Sequence, residues 1–450
     1  MGLRERLDRG GKATPVAGIP IAYGGISPDS YHQLKGELHQ RLIDKIDLTT
    51  MEDLPREQIR DEMRMILGSM LSGTEIPLNR TEREQMVEEL LDEITGLGPL
   101  EPLLRDNSIS DILVNTYDTV YIERFGKLDL TGVRFRDNQH LLQIINRIVS
   151  HVGRRVDDSS PMVDARLSDG SRVNAIVPPL AIDGPILSIR RFGGTPLRIK
   201  DLIRIGSVMP DMVAFLSASV QAKVNMLISG GTGTGKTTFL NALSAYIPEG
   251  ERIVTIEDAA ELQLQQKHVV RLETRPANIE GKGEIVARDL VRNSLRMRPD
   301  RIIVGEVRAA EVLDMLQAMN TGHEGSMTTV HANSPRDALS RLESMVGMSG
   351  VTMPEILVRQ SIARAINIIV QLSRATDGRR RVASICEITG MEGPVITMHE
   401  IFRFEQQGVD EAGQTQGEFR PTGVRPLAME RIARYGIDPA AVLRTILAGE

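Results

Sequence analysis

The stretch Ser229-Gly230-Gly231-Thr232-Gly233-Thr234-Gly235-Lys236-Thr237-Thr238 decides the fold of the region around it. From Gly230 to Thr237 it fits the pattern G-x-x-x-x-G-K-[ST], in which successive backbone N–H groups surround a polyphosphate. The apolar run 224–228 before it suits a buried strand, and residues 239–243 after it begin a helix whose N-terminus faces the phosphates. We therefore expect a nucleoside triphosphate such as ATP to bind to residues 230–238.

Two residues of this loop have specific chemical roles in the pattern. The Lys236 ammonium would reach the β- and γ-phosphates, and the Thr237 hydroxyl would ligate Mg²⁺. What the triphosphate drives has to be read from the rest of the chain.

Composition limits the possible functions. The 450 residues suit about three domains. The net charge of −6 argues against binding nucleic acid through a broad basic surface. A single cysteine, Cys386, lies in an apolar run, so we interpret it as a core residue in a reducing cytosol. The sequence shows no targeting segment, and no apolar run approaches the roughly 18 residues of a membrane span.

Changes of pattern divide the chain into five parts. We expect a disordered segment at 1–30, a helical bundle at 31–96, an α/β domain at 97–192, a linker at 193–200 and the nucleotide domain at 201–450. Within the bundle, residues 81–84 read as a capping box. In the last domain we expect a hairpin loop at 374–381, a further loop at 405–418 and helices at the end.

Carboxylates follow two apolar strands of the nucleotide domain. Glu257 and Asp258 end the run that starts at Ile253, and Glu306 follows the run 301–304. Acids at the carboxyl ends of strands fall at the edge where α/β proteins bind ligands. They could ligate Mg²⁺ or hold the attacking water. The alternative for Glu257 and Asp258 is a solvent-exposed loop.

Two histidines follow in the segment 321–333. Glycines on both sides of His323 allow the backbone to approach a ligand, and either His323 or His331 could stabilise a γ-phosphate. The spacing is poor for zinc, and each histidine taken alone suits a structural role.

The order of these clusters resembles the type II/type IV secretion ATPase superfamily, with its phosphate loop, acidic box, glutamate-containing Walker B strand and histidine box. Segments 275–284, 295–300 and 317–325 are similar to the tight-adherence (Flp/Tad) pilus ATPases of the CpaF branch. The resemblance covers about residues 80–400, and the sequence lacks the tetracysteine zinc module of many pilus extension ATPases.

The resemblance implies a RecA-like P-loop ATPase domain after a smaller α/β (PAS-like) domain and a helical bundle. It implies a hexameric ring, with ATP and Mg²⁺ bound between the two α/β domains. Arginines from a neighbouring domain or subunit would complete the site. The candidates are Arg172, Arg190 and Arg191, with Arg166 beside them, although each could be a surface charge. Arg292, Arg296 and Arg298 could line a subunit contact.

We therefore expect a cytoplasmic ATPase motor, peripheral to the inner membrane, that powers pilus assembly through a membrane platform protein. Glu257 would activate water, Glu306 would act with Mg²⁺, and the linker would be a hinge. One alternative is a type IV secretion or conjugation ATPase. Others are a nucleotide-gated scaffold with little turnover and a DNA translocase, which the net charge disfavours.

Overall fold

The computed structural model describes most of the chain after the first thirty residues. The described residues are 31, 34–38, 41–42, 56–72, 78–124, 126–192, 196–277, 282–375, 377–410 and 413–447. The chain divides into two compact units, with the boundary between residues 194 and 195. The segment 1–30, predicted to be disordered, and residues 193–195 of the linker predicted at 193–200 lie outside the described residues.

The first unit begins with helices. Helices α1 (Arg56–Ser72) and α2 (Arg80–Thr95) share a core that includes Leu67 and Leu90. Asn79 caps α2, because its side chain accepts a hydrogen bond from Glu82 N at 2.8 Å while Glu82 Oε2 accepts one from Asn79 N at 2.8 Å. The capping box predicted at 81–84 is therefore wrong by two residues, since Asn serves at this position as well as Thr.

An antiparallel sheet of six strands follows. Its elements are α3 (Glu101–Arg105), β1 (Ile109–Thr116), β2 (Thr119–Arg124), β3 (Lys127–Leu130), α4 (Asn138–His151), β4 (Met162–Arg166), β5 (Arg172–Ile176) and β6 (Ile186–Arg190). The strand order is β3-β2-β1-β6-β5-β4. Buried residues alternate along β1, β2, β5 and β6, as Ile112 and Val114 do in β1, and they form one core with Ile145 of α4. One face of the sheet thus packs on α4, as alternation requires.

The second unit contains the phosphate loop. Its elements are α5 (Ile199–Arg204), α6 (Pro210–Gln221), β7 (Met226–Gly230), α7 (Lys236–Ser244), β8 (Ile253–Glu257), β9 (Val269–Glu273), α8 (Ala287–Ser294), β10 (Arg301–Val304), α9 (Glu311–Asn320), β11 (Met327–Val330), α10 (Pro335–Met348), α11 (Glu355–Ala365), β12 (Ile368–Arg374), β13 (Arg380–Glu392), β14 (Val395–Val409), β15 (Thr415–Pro421), α12 (Ala428–Arg434) and α13 (Pro439–Leu447). α5 begins at Ile199, so the last two residues of the linker predicted at 193–200 are helical.

Six strands of its sheet are parallel. Their order is β12-β7-β11-β10-β8-β9. All five residues of β7 are buried, and its side chains enter two cores: Met226 and Ile228 lie in one, Leu227 in the other. A strand buried on both faces explains the continuous apolar run in the sequence. The α/β class predicted from the sequence is confirmed, and the carboxyl ends of these strands lie at one edge.

The sheet continues beyond β12 as an antiparallel meander of β13, β14 and β15. The predicted loop at 405–418 is wrong for most of its length, because β14 extends to Val409 and β15 begins at Thr415. β15 is the edge strand and β14 lies between β15 and β13; both carry exposed polar side chains here, so the apolar alternation that signals a strand is weak. The hairpin loop predicted at 374–381 does join β12 to β13.

Across the part of the chain that the structure describes, we find no helix with the length and apolar character needed to span a bilayer.

Candidate active site

The phosphate loop connects β7 to α7, as its strand and helix signals predict. Gly233 and Gly235 adopt φ angles of +69° and +92°, which L side chains rarely adopt. Gly230 is fixed by crowding, since a methyl group built on its Cα would lie 3.0 Å from the Leu372 carbonyl oxygen. The Thr234 hydroxyl donates to Gly231 O at 2.9 Å and holds the loop closed on itself. The fold of the loop is thus specified by its own residues.

Lys236, Thr237 and Thr238 form the first turn of α7, where backbone N–H groups have no partner within the helix. The Lys236 ammonium donates to Gly231 O at 3.0 Å, so it lies over the loop where phosphates would sit. The residues of the predicted loop, 230–238, therefore form a concave array of donors suited to an anion.

Glu257 is the last residue of β8 and is only 5% exposed. Its Oε2 accepts hydrogen bonds from Glu261 N at 2.7 Å and Leu262 N at 3.0 Å, while its Oε1 has no hydrogen-bond partner among the described residues. Burial raises the pKa of the Glu257 carboxyl. The two backbone donors act to lower this pKa, but their effect is smaller than that of burial. Glu257 is thus an oriented carboxyl with one oxygen available to a ligand.

Gly305 creates the space for Glu257. A methyl group on its Cα would lie 2.8 Å from Glu257 Cγ, which is closer than packed atoms approach. The absence of a side chain at Gly305 therefore makes room for Glu257 on β8. It is not needed for a turn, because the φ angle of Gly305 lies outside the left-handed region.

Arg308 links the other two acids, Glu306 and Asp258, in a cluster that was not predicted from the sequence. Glu306 follows β10, and its Oε2 accepts from Arg308 Nη2 at 2.6 Å and from Nε at 3.0 Å. The same guanidinium donates to Asp258 Oδ2 at 3.2 Å through Nη1. Arg308 was visible in the sequence, but nothing there indicated that β8 and β10 are neighbours, which is what brings Asp258 to it.

The two histidines lie at opposite edges of the sheet. His331 follows the carboxyl end of β11, and its Nδ1 lies 3.5 Å from the Thr232 hydroxyl of the phosphate loop. His323 precedes the amino end of β11, and the Ser326 hydroxyl donates to its carbonyl oxygen at 2.7 Å. The prediction that His323 lies near the γ-phosphate is therefore wrong within this subunit, because a whole strand separates it from the loop.

The candidate arginines of the first unit lie in one row. Register pairs Arg166 with Arg172, Arg172 with Arg190, and Arg190 with Asp111. Directly paired residues share a face, and here it is the face opposite the core, since Val173 and Ile189 point inward.

Arg191 differs from the rest of the row. Its Nη1 donates to Leu103 O at 3.2 Å and to Asp106 O at 3.0 Å, so it holds its own unit together. In the second unit, Arg292 donates to Asp314 at 2.8 Å and Arg296 to Asn293 at 3.2 Å. Arg298 follows a short 3₁₀ turn with a φ of +54°.

The expected Mg²⁺ donors are Thr237, Glu257, Asp258 and Glu306. Among the residues that the structure describes, no three His, Cys, Asp or Glu side chains form a ready cage for a metal. This donor set fits Mg²⁺ nevertheless, because that ion keeps several waters and takes one or two carboxylates together with phosphate oxygens.

Comparison with known proteins adds a family. The family described as type II/IV secretion system protein matches residues 93–425, and the N-terminal domain of type II secretion system protein E matches 31–95. A Mycobacterium tuberculosis protein provisionally named for conjugal transfer is 39% identical over 332 residues, which is 72% of this chain and 92% of that protein. The type IV secretion system protein VirB11 of Brucella suis is 30% identical over 313 residues, 63% of this chain and 87% of its own.

Among solved structures, the Brucella suis VirB11 ATPase in complex with sulphate covers 64% of this chain and 95% of its own. It is 28% identical, with a TM-score of 0.36.

Proposed function

We propose that this chain, which belongs to the type II/IV secretion system protein family, hydrolyses ATP to power a type IV secretion or conjugal-transfer machine. The observation that carries the proposal is that the phosphate loop, the carboxylates of Glu257 and Glu306, and His331 all lie at one sheet edge. The relatives named for conjugal transfer and type IV secretion support this machine better than the pilus favoured by the sequence.

The loop residues 230–238 bind and orient the triphosphate. The Lys236 ammonium leaves the Gly231 carbonyl for the β- and γ-phosphates, which are stronger acceptors because they are charged. The Thr237 hydroxyl and Glu306 would hold Mg²⁺, which would supply positive charge to the transferring phosphate.

Glu257 acts as the base that orients the attacking water. Its buried carboxyl has a raised pKa, and a more basic carboxylate accepts a proton more readily at neutral pH. His331 stabilises charge on the γ-phosphate from the other side of the loop.

Arg308 neutralises Glu306 and Asp258 before a cation arrives. Two of its nitrogens donate to one Glu306 oxygen and the third donates to Asp258, which offsets the repulsion between two acids that follow neighbouring strands. Glu306 and Asp258 would hold Mg²⁺, which would supply the positive charge that Arg308 supplies here.

A ring of six subunits would complete the site. Arg172 and Arg190 lie on the open face of the first unit's sheet, where a triphosphate bound to a neighbour could reach them. The linker at 193–200 would be the hinge between phosphate state and domain movement. Ser207, which follows α5, is hydrogen bonded to β13 beside the phosphate loop. A movement of the linker could therefore be transmitted through Ser207 to β13.

The second candidate is a motor for a tight-adherence pilus, acting from the cytoplasm on an inner-membrane platform. The segments 275–284 and 317–325 favour it, because they resemble that branch. Deleting the gene and scoring pili and DNA transfer separately in the native host distinguishes the two machines.

The change Glu306→Gln tests the catalytic assignment. We expect steady-state phosphate release to fall by about 10²-fold or more, because the amide supplies no charge to the metal or water, while ATP binding persists. Glu249→Gln, at an exposed position, is the matched control and should leave turnover unchanged. Wild-type turnover in the Glu306 variant would overturn the assignment.

A further inference from the structure

The hairpin between β12 and β13 carries four arginines, at 374, 379, 380 and 381. Strand β12 is the direct neighbour of β7, and Leu372 pairs in register with Gly230. The hairpin therefore begins at the level where the phosphate loop begins, and its first arginine lies two residues further along the same direction.

Two of these arginines lie against the phosphate loop. A methyl group built on Gly233 would lie 3.5 Å from Arg374 Nη1, and one built on Gly235 would lie 3.6 Å from Arg380 Cδ. Both arginine residues are exposed. The Arg374 guanidinium and the aliphatic stem of Arg380 thus border the two glycines with left-handed backbone, which shape the loop around the anion.

The other two arginines of the hairpin make contacts away from the phosphate loop. Arg381 is 6% exposed and lies over the Phe404 ring, 4.3 Å from its centroid. Arg379 donates to Gln414 Oε1 at 2.6 Å on β15's side of the meander. The hairpin thus separates a structural pair from a pair beside the loop.

The backbone that carries Arg380 is held firmly. Its carbonyl oxygen accepts from the Ser207 hydroxyl at 2.6 Å, and Val382 N donates to Ser207 O at 2.8 Å. Arginines on an anchored strand lose less entropy when they bind than arginines on a free loop.

The acidic residues around the phosphate loop would make binding of a triphosphate unfavourable unless further positive groups lie nearby. Glu257, Asp258 and Glu306 lie at the same sheet edge, where Arg308 offsets only part of their negative charge, while the loop itself brings one cation, Lys236. Guanidinium groups bind phosphate oxygens with two parallel hydrogen bonds and stay charged at any physiological pH.

We propose that Arg374 and Arg380 are phosphate-binding residues supplied by the same subunit that carries the phosphate loop. They add to the nucleotide site from the side opposite Glu306, since β12 and β11 flank β7 on different sides. The inference rests on the proposed function, because it needs a nucleotide in the loop, and it is distinct from the arginines expected from a neighbouring subunit.

The test compares nucleotide affinity in the full-length chain and its variants. Titrations with ATP, ADP and AMP in the presence of Mg²⁺ are made on wild type, Arg374→Ala, Arg380→Ala and the double variant. We expect each single change to weaken ATP and ADP binding about tenfold, since hydrogen bonds to charged groups are of that strength. AMP binding should change much less, and Arg374→Lys should restore part of the loss.

Arg379→Ala is the matched control, because it removes the same charge from the same hairpin at a position turned toward Gln414. We expect a change of less than about twofold there, and equal thermal unfolding midpoints without nucleotide for all variants. Unchanged ATP affinity in the double variant would overturn the inference, as would an equal loss in the Arg379 control. Failure of the wild-type chain to bind ATP would instead refute the proposed function.

Discussion

At the scale of single residues, the site depends on carboxyl groups placed by backbone contacts. Glu257 shows this best, because two backbone N–H groups fix one of its oxygens and leave the other without a partner among the described residues. A buried carboxyl in a polar cleft is a functional candidate on physical grounds. Its position at the end of β8 was readable from the sequence, whereas its burial was not.

The raised pKa of Glu257 gives a prediction for pH dependence. A base must be deprotonated to act, so turnover falls as pH drops through the pKa of this carboxyl. Burial raises that pKa, so the acidic limb of kcat should lie above the value of about 4.3 for an ordinary glutamate. Phosphate release measured from pH 5 to pH 9 locates the limb.

The control for this profile is Glu257→Gln, in which the acidic limb should disappear along with most of the turnover. A limb that persists in the Gln variant would assign the titration to another group.

At the scale of elements, neighbouring strands create the site by crowding. Gly305 on the segment after β10 leaves room for Glu257 on β8. We predict that Gly305→Ala displaces the carboxyl and lowers turnover about tenfold to a hundredfold, because displacements of less than an ångström already impair catalysis. ATP affinity should stay near the wild-type value, and single-turnover phosphate release measures the defect.

Gly250→Ala is the matched control, because a methyl group there has no neighbour within 4 Å. Neither glycine has a positive φ, so backbone strain does not separate the two variants. Equal turnover in both variants would refute the role of Gly305.

The sequence predicted the elements that carry strong local signals. The phosphate loop, the two strands ending in acids and the α/β class all follow from apolar runs and glycine spacing. The strands of 405–418 were missed because their largely polar, exposed side chains lack apolar alternation.

Contacts between distant segments could not be predicted in this way. Arg308 meets Asp258, and Arg374 meets Gly233, through strand neighbours that only the sheet order reveals. His323 was misplaced for the same reason, since spacing along the chain does not say which edge of a sheet a residue reaches.

At the scale of the whole molecule, the chain combines two α/β units that carry different candidate functional residues. The second unit holds the loop, the acids and His331, and the first carries a row of arginines on the face of its sheet opposite the core. The net charge of −6 suits a protein motor better than a nucleic-acid translocase. ATP turnover is therefore the activity that we propose for the chain itself, whereas its partners would decide which machine it powers.

The measurement that tests this account most directly is steady-state phosphate release from ATP and Mg²⁺ by the purified full-length chain, beside the variant Lys236→Ala. We predict saturable release by the wild-type chain and its loss in the variant, because the ammonium that holds the β- and γ-phosphates is gone. Wild-type release that stays at the level of the Lys236 variant, while ATP still binds, would contradict the account and indicate a nucleotide-gated scaffold.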